Sequence, residues 1–366
     1  MSILDRGWLG ALLGRGGASI TVPILDGALR PNNILEEAEL YAELAEVDGL
    51  AVEDNALFAS AGHQVLKLGT VTQDIISEFD SPISCLANAP GGGLVVGLED
   101  GTLQVISGPH EGFTMSGDSG PGVTCPVALS SKDENTLIVA EGSRHNGAAG
   151  WARDLLEKNA SGRLLGVDVS GSGKTEILAD RLAWPHGIVC QEDELIYTES
   201  WRHRLMATPA AGGGNIREIS AHMPGYPGRL SAAVGGGYWL AVFAMRTQLL
   251  EFVLGEDQYR HAMLESVPPE HWIVPALAAR ENFRDPLQAG GVIQLGIKKP
   301  WAPPRSYGLV IKLDSEFRPV SSLHSRVGGV RHGITAAVEM DGNLYIASKG
   351  SGAVLKLGLD ELEGMQ

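Results

Sequence analysis

Short apolar runs separated by tight turns recur along most of this chain. The clearest copy is residues 184–206, WPHGIVCQEDELIYTESWRHRLM. It contains a turn at 184–187, an apolar run at 188–190, an acidic turn at 192–194, and further apolar runs at 195–198 and 204–206. Apolar runs this short, bounded by turn residues, are typical of β-strands. The stretch therefore predicts three consecutive strands of a β-meander.

Weaker copies of the pattern occupy five other stretches, at residues 46–68, 84–106, 125–143, 228–243 and 332–357. Six repeats at a basic period of about 40 residues, stretched by loops, fit a propeller, a fold that has about 4 to 8 blades. The sequence predicts an all-β fold, a six-bladed β-propeller, with residues 46–366 as one closed domain. Its function should lie where the blade tips converge.

Two segments depart from the repeat. Residues 1–45 form an N-terminal extension, in which the alternating stretch ASITVPIL at 18–25 predicts an early strand that completes the last blade. Residues from about 255 to 305 form a long insertion in the fifth blade, rich in proline and carrying Trp272, Phe283 and Trp301. Loops of this length are usually functional or disordered. We expect an ordered cap over one propeller face; a solvated excursion or an oligomer contact is the alternative.

Composition supports a strand-rich fold. The chain has 366 residues, of which 44% are apolar, with 48 Gly and 19 Pro. Plentiful turn formers and few long runs of helix formers favour short strands over helices. The three cysteines, Cys85, Cys125 and Cys190, lack C-x-x-C spacing and lie in strand-like segments, so we expect reduced, buried thiols.

Charge limits the range of partners. The formal net charge of -16 repels phosphate backbones and anionic lipids. We therefore expect a small-molecule substrate, no nucleic acid and no membrane; the oligomeric state stays open. The N-terminal apolar patch is interrupted by Arg6, Gly7 and Arg15 and is too short to span a bilayer. It also lacks a clear cleavage site, so we expect a cytoplasmic protein.

Two motifs carry a family resemblance. WPHGIVCQEDELIYTESWRHRL resembles the W-P-N-G…L-Y-x-x-E-(S/T)-W-x-x-R signature of strictosidine synthase-like proteins. GYPGRLS at 225–231, followed by GYWLA at 237–241, resembles their G-Y-P-D-N-(I/L)-S…G-(Y/F)-W-(V/L)-A. The similarity covers roughly residues 46–357. It implies a six-bladed propeller related to the paraoxonases and to the gluconolactonase/regucalcin group.

The chain departs from that family at its functional positions. Calcium-dependent relatives hold a central ion with Glu, Asn and Asp side chains, and the resemblance places Asp48, Cys125, His186 and Gly228-Arg229 there. Calcium prefers six to eight oxygen ligands, so we expect no calcium and no other cofactor. The Glu that strictosidine synthases use as a base corresponds to Thr335, which cannot act as a carboxylate does.

The residues at these positions suggest a different site. His186 is the predicted general acid or base because the usual pKa of histidine lies near neutrality. Asp48 would orient His186, and Arg229 would bind a substrate carboxylate or a developing oxyanion. The predicted substrate-binding residues are Cys125, Thr335, His332, Arg331, Trp272 and Trp301.

Three function classes remain open. The first is a strictosidine synthase-like enzyme that uses general acid/base chemistry without calcium for hydrolysis, addition, or C–C or C–N bond chemistry. The second is a metal-dependent lactonase or esterase of the gluconolactonase/paraoxonase type, and Asp48, Cys125 and His186 would be a plausible zinc set. The third is a non-catalytic propeller that binds a small molecule or a protein. In all three, Glu199 is expected to form a structural ion pair with Arg202 or Arg204.

Overall fold

The computed structural model describes residues 22–69, 72–117, 122–171, 173–278, 293–294, 297–298 and 306–364. Six four-stranded antiparallel sheets surround a central axis, which confirms the predicted six-bladed β-propeller. One strand, β1 (Glu39–Glu43), precedes the first complete blade.

Each of the first three blades takes four consecutive strands, the first of which lies innermost. Blade 1 comprises β2 (Val47–Glu53), β3 (Ala56–Ala61), β4 (Gln64–Leu68) and β5 (Gln73–Glu78). Blade 2 comprises β6 (Ile83–Asn88), β7 (Leu94–Leu98), β8 (Leu103–Val105) and β9 (Thr114–Met115). Blade 3 comprises β10 (Pro126–Ser131), β11 (Thr136–Glu141), β12 (Gly162–Asp168) and β13 (Thr175–Leu182).

The last three blades follow the same plan, except that blade 5 contains an insertion and blade 6 takes its outermost strand from the N-terminal part of the chain. Blade 4 comprises β14 (Pro185–Gln191), β15 (Glu194–Glu199), β16 (Arg204–Pro209) and β17 (Arg217–Ser220). Blade 5 comprises β18 (Gly225–Ala232), β19 (Tyr238–Met245), β22 (Gly308–Leu313) and β23 (Pro319–Ser325), with the two-residue strands β20 (Ile293–Gln294) and β21 (Ile297–Lys298) between its second and third strands. Blade 6 comprises β24 (Ile334–Met340), β25 (Asn343–Ser348), β26 (Ala353–Gly358) and β1.

The ring closes through β1, which pairs antiparallel with β26, with Leu40 opposite Leu355. The closing strand predicted at residues 18–25 is therefore wrong. Residues 22–25 are not in a strand and Ile24 is 82% exposed, whereas 18–21 lie outside the described residues. Leu35, on the short helix α1 (Ile34–Glu37), is fully buried between blades 5 and 6 and anchors the approach to β1.

Apolar side chains pack mainly between neighbouring blades. Between blades 6 and 1, for example, Val47 and Leu57 pack in one buried cluster with Ala347 and Val354. Strands buried on both faces read as continuous apolar runs rather than strict alternation, as in LVVGL of β7. The blades therefore form a rigid ring that fixes the start of each innermost strand near the axis.

Several helices and short turns flank or connect the strands. The third blade carries the helix α2 (Trp151–Glu157), and it is followed along the chain by α3 (Gln248–Gly255), α4 (Asp257–Ser266) and α5 (Leu359–Gly364). Single 3-10 turns lie at Gly27–Leu29, Ala148–Gly150, Ser200–Arg202, Pro269–His271 and Lys349–Ser351. No helix within the described ranges is long and apolar enough to span a membrane.

The described part of the predicted insertion packs on the propeller through these helices. Trp272 is 7% exposed and lies in a cluster with Leu156, Val253 and Met263, so it contacts α2, α3 and α4. Its indole Nε1 donates to the carbonyl of Val267 at 2.8 Å. Residues 279–292 and 299–305, including Trp301, lie outside the described residues. The cap itself stays a prediction.

Candidate functional site

Two cavities lie on the propeller axis. The upper pocket, of about 240 Å³, is lined by the starts of innermost strands, and the lower pocket, of about 340 Å³, is lined by their central and end portions. Arg229 contributes to both. It therefore separates the two cavities along the axis.

The Arg229 guanidinium is fully hydrogen-bonded to protein oxygens. Its Nε donates to the carbonyl of Val127 at 3.2 Å, and Nη1 donates to the carbonyls of Asp48 at 3.2 Å and Thr335 at 3.4 Å. Its Nη2 donates to Asp48 Oδ2 at 2.6 Å and to the carbonyl of Ser84 at 2.7 Å. A guanidinium has five N–H donors, and these contacts use all five. Arg229 of blade 5 thereby connects blades 1, 2, 3 and 6.

This arrangement is not the one predicted for Arg229. A substrate carboxylate or oxyanion would need a free N–H on Arg229, and each is already bonded to a protein oxygen. Only 11% of the side chain is exposed. Arg229 is a structural cation at the floor of the upper pocket.

Asp48 binds the two cations of the site rather than a histidine. Its Oδ2 accepts from Arg229, and its Oδ1 accepts from Lys349 Nζ at 3.0 Å. Burial alone would raise the pKa of Asp48, but the adjacent Arg229 and Lys349 outweigh burial and hold this pKa well below its usual range. Both carboxylate oxygens contact cations, and no hydrogen bond joins Asp48 to His186 among the described residues, so the orienting role of Asp48 stays a prediction.

His186 lines the upper pocket with its imidazole edge-on to Phe243, at a centroid distance of 5.2 Å. Its Nδ1 is buried and has no hydrogen-bond partner among the described residues. Burial, assisted by the nearby Arg229, lowers the pKa of His186 to about 3. The imidazole is thus neutral at physiological pH, so the easy exchange between two protonation states that the sequence suggested is absent.

Two charged residues of the upper pocket were missed by the sequence reasoning. Glu99 directly follows β7, and Lys349 directly follows β25. Burial raises the pKa of Glu99 above its usual value, although Lys349 acts in the opposite direction. Lys349 is 41% exposed and is bound on one side to Asp48. Lys349 therefore keeps N–H donors that Asp48 does not use.

The positions of Glu99 and Lys349 follow from the blade geometry. In each blade the second strand runs antiparallel to the first, so its end lies beside the start of the innermost strand. Residues just after a second strand consequently face the same mouth as Asp48 and His186. A search of these positions in the repeats would have found both charged side chains.

Aromatic side chains form one wall of the upper pocket. Trp184 stacks on Trp201 with ring centroids 5.0 Å apart, and Trp151 contacts Phe243 edge-on at 6.0 Å. Trp151, Trp184 and Phe243 line the cavity itself. The pocket thus combines aromatic rings with charged groups, which suits a ligand with a ring.

A single residue of the long blade 5 insertion reaches this pocket within the described part of the chain. Leu277 lines the cavity, and its carbonyl lies so close to Gly350 and Gly333 that no side chain could replace either glycine without displacing it. The segment before residue 279 is therefore seated directly beside Lys349.

Among the predicted substrate-binding residues that the structure describes, only Thr335 lines the upper pocket. Its hydroxyl donates to the carbonyl of Asp48 at 2.6 Å and is already used. Cys125 is fully buried beside Val127 and Trp184, and burial raises the pKa of its thiol. Cys125 therefore packs in the buried core and does not line the upper pocket.

The other predicted contacts lie elsewhere. His332 is fully buried, and its two ring nitrogens contact the Ser306 hydroxyl at 2.7 Å and the Arg326 carbonyl at 3.0 Å. Arg331 and Trp272 do not line the upper pocket. His332 and Trp272 instead stabilise the last blade and the helical segment, because both are buried within them.

The ion pair predicted for Glu199 is confirmed. Arg202 Nη1 lies 2.7 Å from Glu199 Oε1, and Arg204 Nε donates to Glu199 Oε2 at 2.7 Å. The carboxylate also accepts from the backbone N–H of Ala183 at 2.8 Å. Glu199 therefore fixes the turn between blades 3 and 4.

The axial residues do not suit a metal ion. Within the described ranges, no three His, Cys, Asp or Glu side chains are grouped so that they could hold one. Asp48, Cys125 and His186 therefore do not form the alternative zinc set. The calcium of related propellers fits no better, because the oxygens around the axis already bind the Arg229 guanidinium.

Comparison with known proteins gives distant relatives over nearly the whole chain. The adipocyte plasma membrane-associated protein of Mus musculus is 24% identical over 373 residues, covering 93% of this chain and 82% of the relative. Protein STRICTOSIDINE SYNTHASE-LIKE 13 of Arabidopsis thaliana is 28% identical over 185 residues, 46% of this chain and 45% of that protein. No family model matches the chain.

Solved structures give the same fold. A gluconolactonase from Xanthomonas campestris superposes with a TM-score of 0.53 at 13% identity, covering 87% of this chain and 88% of that one. The resemblance inferred from the sequence motifs is thus confirmed.

Proposed function

We propose that this strictosidine synthase-like propeller of the gluconolactonase type is an enzyme that transfers protons to and from a small organic substrate in the upper pocket, without a metal ion. One observation carries the proposal. The axial Arg229 and Asp48 are saturated by each other and by protein groups, whereas Glu99, His186 and Lys349 keep polar capacity beside an aromatic wall. Convergent polar groups in an apolar cavity are typical of active sites.

Glu99 is the proposed proton-transfer group. A carboxyl group transfers protons most effectively near neutral pH when its pKa is raised, and burial shifts Glu99 in that direction. Among the described residues, no hydrogen bond to another side chain holds its carboxylate in place. Glu99 replaces His186 in the role that the sequence suggested, because the neutral imidazole is a poor base at the low pKa that burial imposes.

His186 and Lys349 are the proposed partners of substrate oxygen. A neutral imidazole can still donate one hydrogen bond, and an ammonium group has three donors, of which Lys349 uses one on Asp48. Donors aimed at an oxygen that gains negative charge lower the barrier of acyl-transfer and enolisation reactions. Both hydrolysis and addition chemistry are compatible with this set.

The first prediction concerns Glu99. We expect Glu99→Gln to lower kcat/KM by about 10²- to 10⁴-fold, the usual contribution of a general acid or base. Lactones, aryl esters and aldehyde–amine pairs are suitable test substrates, lactones because a structural neighbour is described as a gluconolactonase. The matched control is Glu134→Gln, an exposed residue in a blade 3 turn, which should leave the rate unchanged.

Equal activity of the Glu99→Gln variant and the wild-type protein on a turned-over substrate would refute this role for Glu99. Binding of a ligand without turnover of any of these compounds would favour a non-catalytic propeller instead.

The second prediction concerns metal removal. Because Arg229 supplies the axial positive charge, we expect activity to survive dialysis against EDTA and not to rise when Ca²⁺ or Zn²⁺ is added. The measurement is the turnover rate before and after chelation, with metal content determined on the same samples. Loss of activity with EDTA and its recovery with one divalent ion would favour the metal-dependent lactonase or esterase.

A further inference from the structure

We infer that the molecule bound in the upper pocket carries a carboxylate on a ring-bearing body, with the carboxylate held by Lys349 and His186. The inference deepens the proposed function, on which it rests only in treating the bound molecule as the substrate. It depends on which polar groups of the pocket remain unsatisfied in the folded protein, and on the charge that they leave there.

Most polar groups around the pocket have no free capacity. Arg229 uses all five donors, and both carboxylate oxygens of Asp48 accept hydrogen bonds. The Thr335 hydroxyl donates to the Asp48 carbonyl at 2.6 Å, and the Ser84 hydroxyl donates to the Gly97 carbonyl at 3.0 Å. None of these four side chains can offer a donor to a ligand without breaking a bond inside the protein.

Lys349 is the principal free donor. Its ammonium group has three N–H donors, and one contacts Asp48 Oδ1 at 3.0 Å. The side chain is 41% exposed, so the remaining donors face the open pocket or solvent. Asp48 also fixes the position of the ammonium group, which reduces the conformational entropy lost when a ligand binds.

His186 supplies a second donor through its tautomer. Its Nδ1 is buried without a partner and lies against the backbone of Gly228. A buried N–H without an acceptor is rarer and more costly than an unpaired lone pair, so the ring proton belongs on Nε2. Since the ring lines the pocket, the Nε2–H is the polar edge that can meet a ligand.

The charge balance favours an anion. The two cations Arg229 and Lys349 face one saturated anion, Asp48, which leaves one excess positive charge at the axis. Glu99 offsets this charge when it is ionised; burial raises its pKa, and the negative charge of an incoming carboxylate would raise it further. A cationic ligand would instead lie against two positive groups. The acidic surface opposes anion entry only weakly, because salt screens it beyond about 8 Å.

The apolar residues of the pocket determine the size and shape of the ligand body that fits beside these donors. Trp151 and Phe243 offer ring faces and edges in the cavity, and Leu277 adds an aliphatic contact. A cavity of about 240 Å³ suits a single ring with a short acidic side chain better than a polycyclic body. The pocket is therefore matched to an aryl-acid or cyclic-acid skeleton.

Matched probes test this inference without any turnover. Phenylacetate and phenylacetamide have nearly the same shape and differ by one charge, and their affinities can be measured by calorimetry or ligand-observed NMR on the intact chain. We expect phenylacetate to bind at least about tenfold more tightly, since a hydrogen bond to a charged group contributes more than a neutral one. In Lys349→Met the preference should fall below about twofold.

Three variants give the controls. Lys356→Met removes a lysine on β26 whose ammonium lies 3.8 Å from Glu39, far along the blade from the pocket, and it should keep the full preference. His186→Phe should weaken phenylacetate binding, while His186→Gln, which retains an N–H donor, should restore part of it. Lys349→Met should fold normally because Arg229 still binds Asp48.

The results separate this inference from the proposed function. Equal affinities of wild-type protein for acid and amide, no detectable phenylacetate binding at millimolar concentration, or a preference that survives in Lys349→Met would each overturn it. A Lys349-dependent preference together with an unaffected Glu99→Gln enzyme would support the carboxylate site and reject the catalytic proposal. Loss of activity in Glu99→Gln, without any preference of the wild-type protein for phenylacetate, would support the catalytic proposal and reject the carboxylate site.

Discussion

Replacing Arg229 with methionine is expected to lower the free energy of unfolding by about 3 kcal/mol, the lower end of the range for breaking a buried ion pair. The substitution removes the partner of Asp48 Oδ2 and leaves the carbonyls of Ser84 and Val127 without their donor. Lys349 still binds the other oxygen of Asp48, which is why the upper end of the range is not expected. Chemical denaturation at neutral pH measures the change.

Arg153→Met is the matched control for this loss of an arginine. Arg153 is 52% exposed and pairs with Glu157 one helical turn away, so its removal should change stability by less than about 1 kcal/mol. Arg229→Lys should not restore wild-type stability, because a single ammonium cannot reproduce a planar fork that reaches four blades. If Arg229→Met and Arg153→Met are equally stable, the axial guanidinium does not stabilise the ring as argued.

The fold was predictable because its evidence is periodic. Six copies of an apolar-run and turn pattern specify six blades, and the ion pairs of Glu199 were also predicted correctly. The closing strand was not. In β1, ELYAE, only Ala42 is buried, because an outer edge strand shows most of its surface to solvent. The more apolar stretch at 18–25 therefore gave the stronger but misleading signal.

The site was predictable in position but not in roles. Repeat register correctly placed Asp48, His186, Arg229 and Thr335 around one axis. Their roles depend on backbone carbonyls, which have no signature in the sequence. Four such carbonyls, together with Asp48, turn Arg229 from a candidate anion-binding residue into a structural cation.

Deeply buried histidines lead to a further expected result, a loss of stability in mild acid. Burial lowers the pKa of His186 and His203 to about 3 and that of His324 to about 4, with nearby arginines adding to each shift. His203 Nε2 lies 3.5 Å from Glu251, but this carboxylate already pairs with Arg246 at 3.0 Å and does not keep a proton on the ring. In the unfolded chain all three would titrate near pH 6.5.

The direction in which stability changes with pH follows from proton binding. Between pH 6.5 and 5 the unfolded chain protonates these three histidines and the folded protein does not, so stability must fall as the pH falls. The expected loss is on the order of 4 kcal/mol over that interval, from three groups at up to about 1.4 kcal/mol per pH unit each. Glu99, whose pKa is raised in the folded state, acts in the opposite direction and offsets part of the loss.

Unfolding midpoints in urea at several pH values measure this dependence. His203→Gln should reduce the slope of stability against pH by about a third, since one of three equal contributions is removed. His110→Gln is the control, because His110 is a partly exposed residue whose ring contacts the carbonyl of Glu134 in a surface turn, and its replacement should leave the slope unchanged. A stability that stays flat from pH 6.5 to 5 would mean that the buried imidazoles accept protons in the folded state. The neutral His186 donor proposed for the upper pocket would then have to be abandoned as well.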